Sequence, residues 1–255
     1  MLNRTTWTFT VETPTVLPRS YGIALMKDLH QRLGLAIGQD DIPSTTFSSL
    51  MGQIQQAQDF VTLLPDQPYL LTLCGLQKTS SVAITELTLP DELSFLGASF
   101  RVALQSQVII HYEDLYHRLV ASDPEPERRF KLTFLTPTAF SQGRTYLPLP
   151  LPTLMFRSWL ERWNHFAPVY LGGDDLIAYL GDAIALTRHR IQTQSVQIHQ
   201  GRVTGFTGDI TLQVLSRADP LLANVANLLI HYAQFAGTGI KTRLGMGQTE
   251  SNFST

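Results

Sequence analysis

The sequence predicts an α+β protein built from two tandem ferredoxin-like (RRM-like) domains, residues 1–125 and 126–255. Strand patterns and amphipathic helices alternate in the first half of the chain, and the same scheme repeats over a second stretch of similar length. Repeated strand–helix–strand units of this kind are typical of ferredoxin-like α+β domains. The stretch Ser122–Glu127, with two prolines among acidic residues, is predicted to link them.

In the first half, alternating residues predict a strand at Trp7–Glu12. Leucines at every fourth position predict an amphipathic helix from Tyr21 to near Gly34. Further elements predicted here are strands at Tyr69–Leu73, Val82–Leu89 and Val108–Tyr112, and a short helix at Tyr112–Val120. In the second half we predict strands at Phe130–Phe134, Val196–His199 and Asp209–Val214, and helices at Leu154–His165 and Leu221–Ala236.

The composition is that of a soluble globular protein, with 44% apolar and 16% charged residues in 255. There is no run of about 18 apolar residues, and polar Thr5 and Thr6 follow the first residues where a signal peptide would be apolar. A cytoplasmic protein without a membrane partner is therefore expected. The single cysteine, Cys74, excludes an intrachain disulfide and a cysteine zinc site, and we expect a buried thiol.

The net charge of −2 conceals an uneven distribution. Residues 1–127 hold 7 Lys/Arg and 14 Asp/Glu, a balance of 7 − 14 = −7, whereas residues 128–255 hold 12 and 7, a balance of 12 − 7 = +5. Basic residues supply much of the affinity for nucleic-acid phosphates, so the second half is the better candidate for binding a polyanion. An ordinary solvated surface is the alternative.

The most informative motif is the tract Phe235–Gln248, which contains the pattern GxGxKTxxGxG after an apolar helix. Its glycines allow unusual backbone angles and could leave N–H groups open to a polyanion, for which Lys241 and Arg243 supply charge. A Walker loop requires Lys-Ser/Thr directly after its last glycine, and a dinucleotide fingerprint would require glycine in place of Thr242. Both are disfavoured, and a structural glycine-rich loop at the helix exit is the alternative.

This pattern resembles the signature loop of the CRISPR-associated repeat-processing endoribonucleases, the sixth Cas family of the RAMP superfamily. Other stretches similar to that family are Leu17–Gly22, Pro43–Ser48, Leu135–Gly143, Leu154–Pro168 and Gly205–Gly208. The resemblance implies tandem ferredoxin-like domains and metal-independent cleavage of repeat RNA by 2′-hydroxyl attack, with no cofactor. The implied partners are pre-crRNA and crRNA, with other Cas effector subunits as further candidates.

The residues expected to bind RNA lie mainly in the loop. They are Gly237, Gly239, Lys241, Thr242, Arg243, Gly245 and Gly247, together with Arg188 and Arg190 of the basic triplet around His189. No H-x-x-x-H or similar ligand spacing occurs, which disfavours a metal site.

Cleavage of RNA without a metal needs a general base, a general acid and cations, and histidine suits the first two roles. His30 lies at the border between the apolar and polar faces of the first helix, where it could face a cleft. The resembled family often places its catalytic histidine shortly after this helix, where Leu35–Gly38 has none. Three explanations stay open: His30 takes the role, another histidine does, or catalysis is lost while RNA binding persists.

Tyr21 and Ser48 are weaker catalytic candidates, and a packed aromatic ring and a strand hydroxyl are their structural alternatives. A structural histidine at the core edge is likewise the alternative for His30. Three hypotheses for function follow: a metal-independent endoribonuclease, an inactive repeat-hairpin-binding subunit of a crRNA effector complex, or a small-nucleotide enzyme that uses the loop as a phosphate cradle.

Overall fold

The computed structural model describes residues 1–35, 42–198 and 201–252. The first half contains, in chain order, strands β1 Leu2–Thr10 and β2 Thr15–Pro18, helix α1 Tyr21–Arg32, strands β3 Thr45–Met51, β4 Gln55–Gln56, β5 Phe60–Leu63 and β6 Tyr69–Gly75, helix α2 Lys78–Glu86, strands β7 Glu92–Phe95 and β8 Ala98–Ile110, and helix α3 Tyr112–Tyr116, which continues as a π-helical turn at His117–Ala121.

The first sheet is antiparallel, with strand order β3-β6-β1-β8-β7. Its four main strands have the order of a ferredoxin-like fold, and the short β7 extends one edge. Trp7 and Phe9 point to the same face of β1 because side chains alternate along a strand. Both are buried in one core with Leu25 and Leu29 of α1. The strands β2, β5 and β4 form a separate small sheet.

The second half contains, in chain order, strands β9 Arg129–Thr138, β10 Phe140–Gln142 and β11 Thr145–Leu147, helices α4 Pro152–Phe166 and α5 Asp174–Ala183, strands β12 Ile184–Ile198 and β13 Gly201–Val214, helix α6 Pro220–Ala236, a 3₁₀ turn Thr242–Leu244, and strand β14 Thr249–Asn252.

The second sheet has the order β12-β13-β9-β14 and is also antiparallel. Its helix-facing side is packed by large side chains of α4 and α6, among them Trp159, Trp163 and Tyr232, which are fully buried. The predicted fold class is therefore confirmed as two tandem ferredoxin-like folds. Ser122–Glu127 lies between the two sheets and contains no helix or strand, while the boundary at residue 125 stays a prediction.

The two halves meet through the faces of the sheets that their helices leave open. Arg4 of β1 donates a 2.6 Å hydrogen bond to Glu250 of β14. The hydroxyl of Thr46 donates to the main-chain oxygen of Phe235 at 2.9 Å. These contacts place the end of α6, where the glycine-rich tract begins, directly against the first domain.

Some predicted elements are wrong. The segment Val82–Leu89 is not a strand, because most of it belongs to helix α2 and the rest is irregular. Tyr112 begins α3 rather than ending a strand. Helix α5 was not predicted, and His199 lies outside the described residues. Cys74 is buried, as predicted. Within the described residues, none of the helices has the length and apolar character needed to span a membrane.

Candidate nucleic-acid interface

The glycine-rich loop, residues 237–248, connects α6 to β14 through an unusual backbone. Gly237, Gly239, Gly245 and Gly247 have φ angles of +64°, +77°, +90° and +76°, and Lys241 has +56°. Left-handed angles of this kind are strained for residues with a side chain but accessible to glycine. The glycine spacing of the sequence is therefore explained in part by the path of the chain.

Close packing explains the rest of the spacing. A Cβ atom at Gly239 would overlap the main-chain oxygen of Ala139, and one at Gly245 would overlap the Ser49 hydroxyl. Ala139 belongs to the second half and Ser49 to the first. The loop is thus wedged between the two domains, and its glycines are needed for that fit.

The expectation that the glycines leave their N–H groups open is wrong for the flanks of the loop. The amide of Gly239 donates to the Ser158 hydroxyl at 2.9 Å, and that of Gly247 donates to the oxygen of Pro137 at 3.0 Å. The amide of Thr238 donates to the oxygen of Gly247 at 2.8 Å. Because these amides are already bonded within the protein, these parts of the loop do not form a phosphate cradle.

Helix α4 holds the loop from beneath. The Arg162 guanidinium donates to the oxygen of Gly239 at 2.6 Å and to the oxygen of Ser158 at 2.9 Å. Trp159 donates from its indole nitrogen to the Thr238 hydroxyl at 2.9 Å. Sequence reasoning missed Arg162 and Ser158. The available signal was an arginine one turn after a serine on the apolar face of a helix, since buried arginine is rare without partners.

Lys241 and Arg243 are half-buried on the outer side of the loop. With Arg157 and Glu161 of α4 they line a groove of about 520 Å³. The Lys241 ammonium lies 5.8 Å from the centre of the Tyr146 ring, within range of a cation–π contact. Three basic side chains on one groove, against one acidic side chain, make this part of the loop suitable for an anionic ligand.

Thr242 does not fit its predicted role as an RNA contact. It is 1% exposed, and its hydroxyl has no hydrogen-bond partner among the described residues. The 3₁₀ turn directs this side chain into the protein while Lys241 and Arg243 stay at the surface. Gly237, Gly239, Gly245 and Gly247 are buried as well, so the cations are the parts of the loop that a ligand could meet.

His30 is buried, contrary to the expectation that it faces a cleft. It is 2% exposed, with Nδ1 2.8 Å from the oxygen of Met26 and Nε2 3.0 Å from the Thr45 hydroxyl. A carbonyl can only accept, so Nδ1 carries the proton and Nε2 accepts from Thr45. Burial lowers the pKa of His30, and the nearby Arg243 charge lowers it further. The ring is held neutral, in one tautomer, with both nitrogens occupied.

Tyr21 and Ser48 border a second groove of about 230 Å³, on the other side of the loop near Gly245. The Tyr21 hydroxyl donates to the oxygen of Leu50 at 3.4 Å, and burial raises its pKa. Ser48 is fully buried; its hydroxyl donates to the oxygen of Ser49 at 2.7 Å and accepts from the amide of Thr72 at 2.8 Å. His30 does not line this groove, so the three candidates are not brought together.

Arg188 and Arg190 are exposed on β12, on the open face of the second sheet. Strand register places Arg188 in line with Thr211 and Lys131, and Arg190 in line with Asp209. Exposed Lys131, which the sequence reasoning did not single out, adds a third cation to this face. No group of three His, Cys, Asp or Glu residues suited to a metal ion occurs within residues 1–35, 42–198 and 201–252.

Two ferredoxin-like folds in tandem, with a glycine-rich loop before the last strand, define a protein of the RAMP class. Residues 132–249 match the family model of the CRISPR-associated endoribonuclease Cas6. The chain belongs to the Cas6 family. It is 33% identical over 132 residues to a Mycobacterium tuberculosis Cas6 endoribonuclease and 29% identical over 129 residues to one from Streptococcus thermophilus. These matches cover 52% and 50% of this chain, and 41% and 52% of the relatives' own lengths.

Solved structures resemble the whole chain. Thermus thermophilus Cas6 has a TM-score of 0.70 with 21% identity, and the match covers 99% of this chain and 98% of that one. A Cas6-related protein from Pyrococcus furiosus has a TM-score of 0.63 with 14% identity and full coverage of both chains. At these identities the likeness concerns the fold.

Proposed function

We propose that this chain is an endoribonuclease that processes CRISPR repeat transcripts and retains the crRNA for an effector complex. The carrying observation is the glycine-rich loop, which is fixed between the domains and presents Lys241 and Arg243 on a groove. It lies within the stretch that matches the Cas6 family. Similar solved structures include two Cas6 product complexes and a RAMP protein described as binding different RNA substrates, which supports RNA as the ligand.

The RNA backbone is proposed to contact the loop cations and the basic open face of the second sheet. Lys131, Arg188 and Arg190 lie on that face. Cations spread over a surface favour an extended polyanion over a mononucleotide, because each phosphate contact adds counterion release. The small-nucleotide alternative also loses support, since the loop amides that a phosphate cradle would use are bonded inside the protein.

The proposed chemistry is metal-independent attack of a 2′-hydroxyl on the adjacent phosphate, which yields a 2′,3′-cyclic phosphate and a 5′-hydroxyl. A general base must come within hydrogen-bonding distance of the proton that it removes. His30 meets only Thr45 and Met26 in the described geometry, which favours a positioning role through Thr45. Direct proton transfer by His30, Tyr21 or Ser48 stays a prediction.

The decisive experiment incubates the protein with the repeat RNA encoded beside its gene, in EDTA and separately with added Mg²⁺. We expect equal cleavage in both, with a cyclic phosphate on the 5′ product. Cleavage that appears only with Mg²⁺ would contradict the metal-independent mechanism. Tight binding without product at excess protein would instead identify a binding subunit.

The role of His30 is tested by His30→Ala and Thr45→Val, with the exposed His111→Ala as the matched control. If His30 acts through Thr45, both variants lose cleavage by a similar factor and keep their RNA affinity. Loss in His30→Ala alone would indicate direct proton transfer. Unchanged cleavage in both would remove His30 from the site.

A further inference from the structure

The outer edge of β8 is open over most of its length. β7 pairs with β8 only through Ala98–Arg101, and the amide of Val102 still donates to the oxygen of Asp91 at 2.8 Å. Beyond Val102, no strand among the described residues pairs with this edge. Every residue from 103 to 109 is exposed. An unpaired strand edge presents free N–H and C=O groups and is a template for pairing with another chain.

The open stretch also lacks the features that usually protect such an edge. Residues 102–110 read VALQSQVII and contain no charged residue and no proline. Leu104, Val108 and Ile109 are 63%, 48% and 42% exposed. Protected edges carry lysine, proline or a bulge within the exposed stretch, or are covered by another element. An apolar, uncharged and exposed edge is therefore better explained by a partner strand than by permanent contact with solvent.

The sequence of this stretch identifies the partner, because it is palindromic in chemical type about Ser106. On each side of Ser106 stands one glutamine, followed by three apolar residues. If two copies pair antiparallel about a twofold axis at Ser106, Leu104 faces Val108, Gln105 faces Gln107 and Ser106 faces itself. Like residues then lie opposite one another on each face, which is the pairing that stabilises antiparallel strands.

The ends of the stretch agree with the same arrangement. Arg101 precedes it, and Glu113 and Asp114 follow it in the first turn of α3. In a twofold antiparallel pair the start of one strand lies beside the end of the other, so opposite charges approach at both ends. The window is bounded by β7 at one end and α3 at the other, and each copy leaves space for its partner.

We propose that this chain forms a homodimer by antiparallel pairing of two β8 strands, centred on Ser106, which joins the first sheets of both copies into one continuous sheet. The contact is isologous, as twofold symmetry requires. Strand addition at a sheet edge gains main-chain hydrogen bonds along the whole stretch, and the side chains set the register. The proposal does not depend on the endoribonuclease activity.

The experiment uses RNA-free protein and light scattering coupled to size exclusion. The wild-type chain is expected at twice its 28.5 kDa mass. Ser106→Lys and Ser106→Glu each place two like charges opposite one another on the axis, so each alone is expected at 28.5 kDa. Mixing the two variants is expected to restore the dimer, because lysine then faces glutamate.

Ser216→Lys, at an exposed turn of the second half, is the matched control and is expected to remain dimeric. Ser106 is exposed, so thermal unfolding is expected to show that both Ser106 variants are folded. A monomeric wild type at every concentration would overturn the proposal. So would dimers that persist in both single variants, or a mixture of the two that stays monomeric.

Discussion

Arg162, in the middle of α4, donates a 2.6 Å hydrogen bond to the main-chain oxygen of Gly239 in the glycine-rich loop. The same guanidinium bonds to Ser158, whose hydroxyl in turn accepts from the amide of Gly239. Helix and loop are therefore joined in both directions by one arginine and one serine. The position of Lys241, two residues further along the loop, depends on this connection.

Replacement of Arg162 by Met is expected to lower the free energy of unfolding by about 2–3 kcal/mol, because hydrogen bonds from a charged donor to buried acceptors are lost. Urea denaturation measures the change. Arg157→Met is the control on the same helix. Its exposed ion pair with Asp174, at 2.8 Å, is expected to contribute less than about 1 kcal/mol. Equal losses in the two variants would contradict the anchoring role of Arg162.

The packing of the loop is tested by Gly239→Ala against Gly143→Ala. Both glycines have left-handed φ angles, +77° and +61°, but an added Cβ meets nothing within 4 Å at Gly143 and overlaps the Ala139 oxygen at Gly239. Gly143→Ala is expected to cost about 1 kcal/mol from the backbone angle alone. Gly239→Ala is expected to cost a further ~1–3 kcal/mol from overpacking. Similar melting temperatures for both variants would show that the loop can move away from Ala139.

The loop cations are tested by the salt dependence of RNA affinity. For single-stranded contacts the slope of log K against log salt changes by about 0.7 for each phosphate contact, and for duplex contacts by about 0.9. Lys241→Ala and Arg243→Ala are each expected to reduce the slope by about that amount. Arg217→Ala, at an exposed turn away from the loop, is expected to leave it unchanged. A slope unaltered by the loop variants would exclude them as phosphate contacts.

Elements with a clear periodicity could be predicted from the sequence, whereas those determined by close packing could not. Helices α1, α4 and α6 have regular apolar faces. Helix α2 buries mainly small residues, and a Cβ at Gly75 would overlap the main chain of Ser81. Small residues in such contacts carry no apolar pattern, so alternating residues in Val82–Leu89 indicated a strand instead.

The candidate site shows the same division. The glycine pattern located the loop, and the basic residues in it are at the surface as expected. The reason for the glycines depends on which main-chain oxygen lies opposite each of them, and that partner is distant in sequence. The burial of His30 likewise depends on Thr45, 15 residues away on β3. Helical periodicity placed His30 at a border but could not show which element covers it.

The last prediction concerns the pH dependence of folding. Burial lowers the pKa of His30 in the folded protein, so the unfolded chain binds a proton more readily below its ordinary value of about 6.5. The stabilising contribution of neutral His30 is therefore complete above about pH 6.5 and is lost as the pH falls towards the folded pKa. Urea denaturation at about pH 7.5 and 5.5 is expected to show a smaller loss of stability in His30→Gln than in the wild type.

Part of the pH dependence should survive in that variant, because burial also lowers the pKa of His231, to about 4. Exposed His111→Gln is the control and should follow the wild type. Such a result would establish that His30 is neutral in the folded protein at neutral pH, as its hydrogen bonds to Met26 and Thr45 require. An equal loss of stability in His30→Gln and the wild type would mean that the His30 ring takes up a proton in the folded protein, and a direct role in proton transfer would regain support.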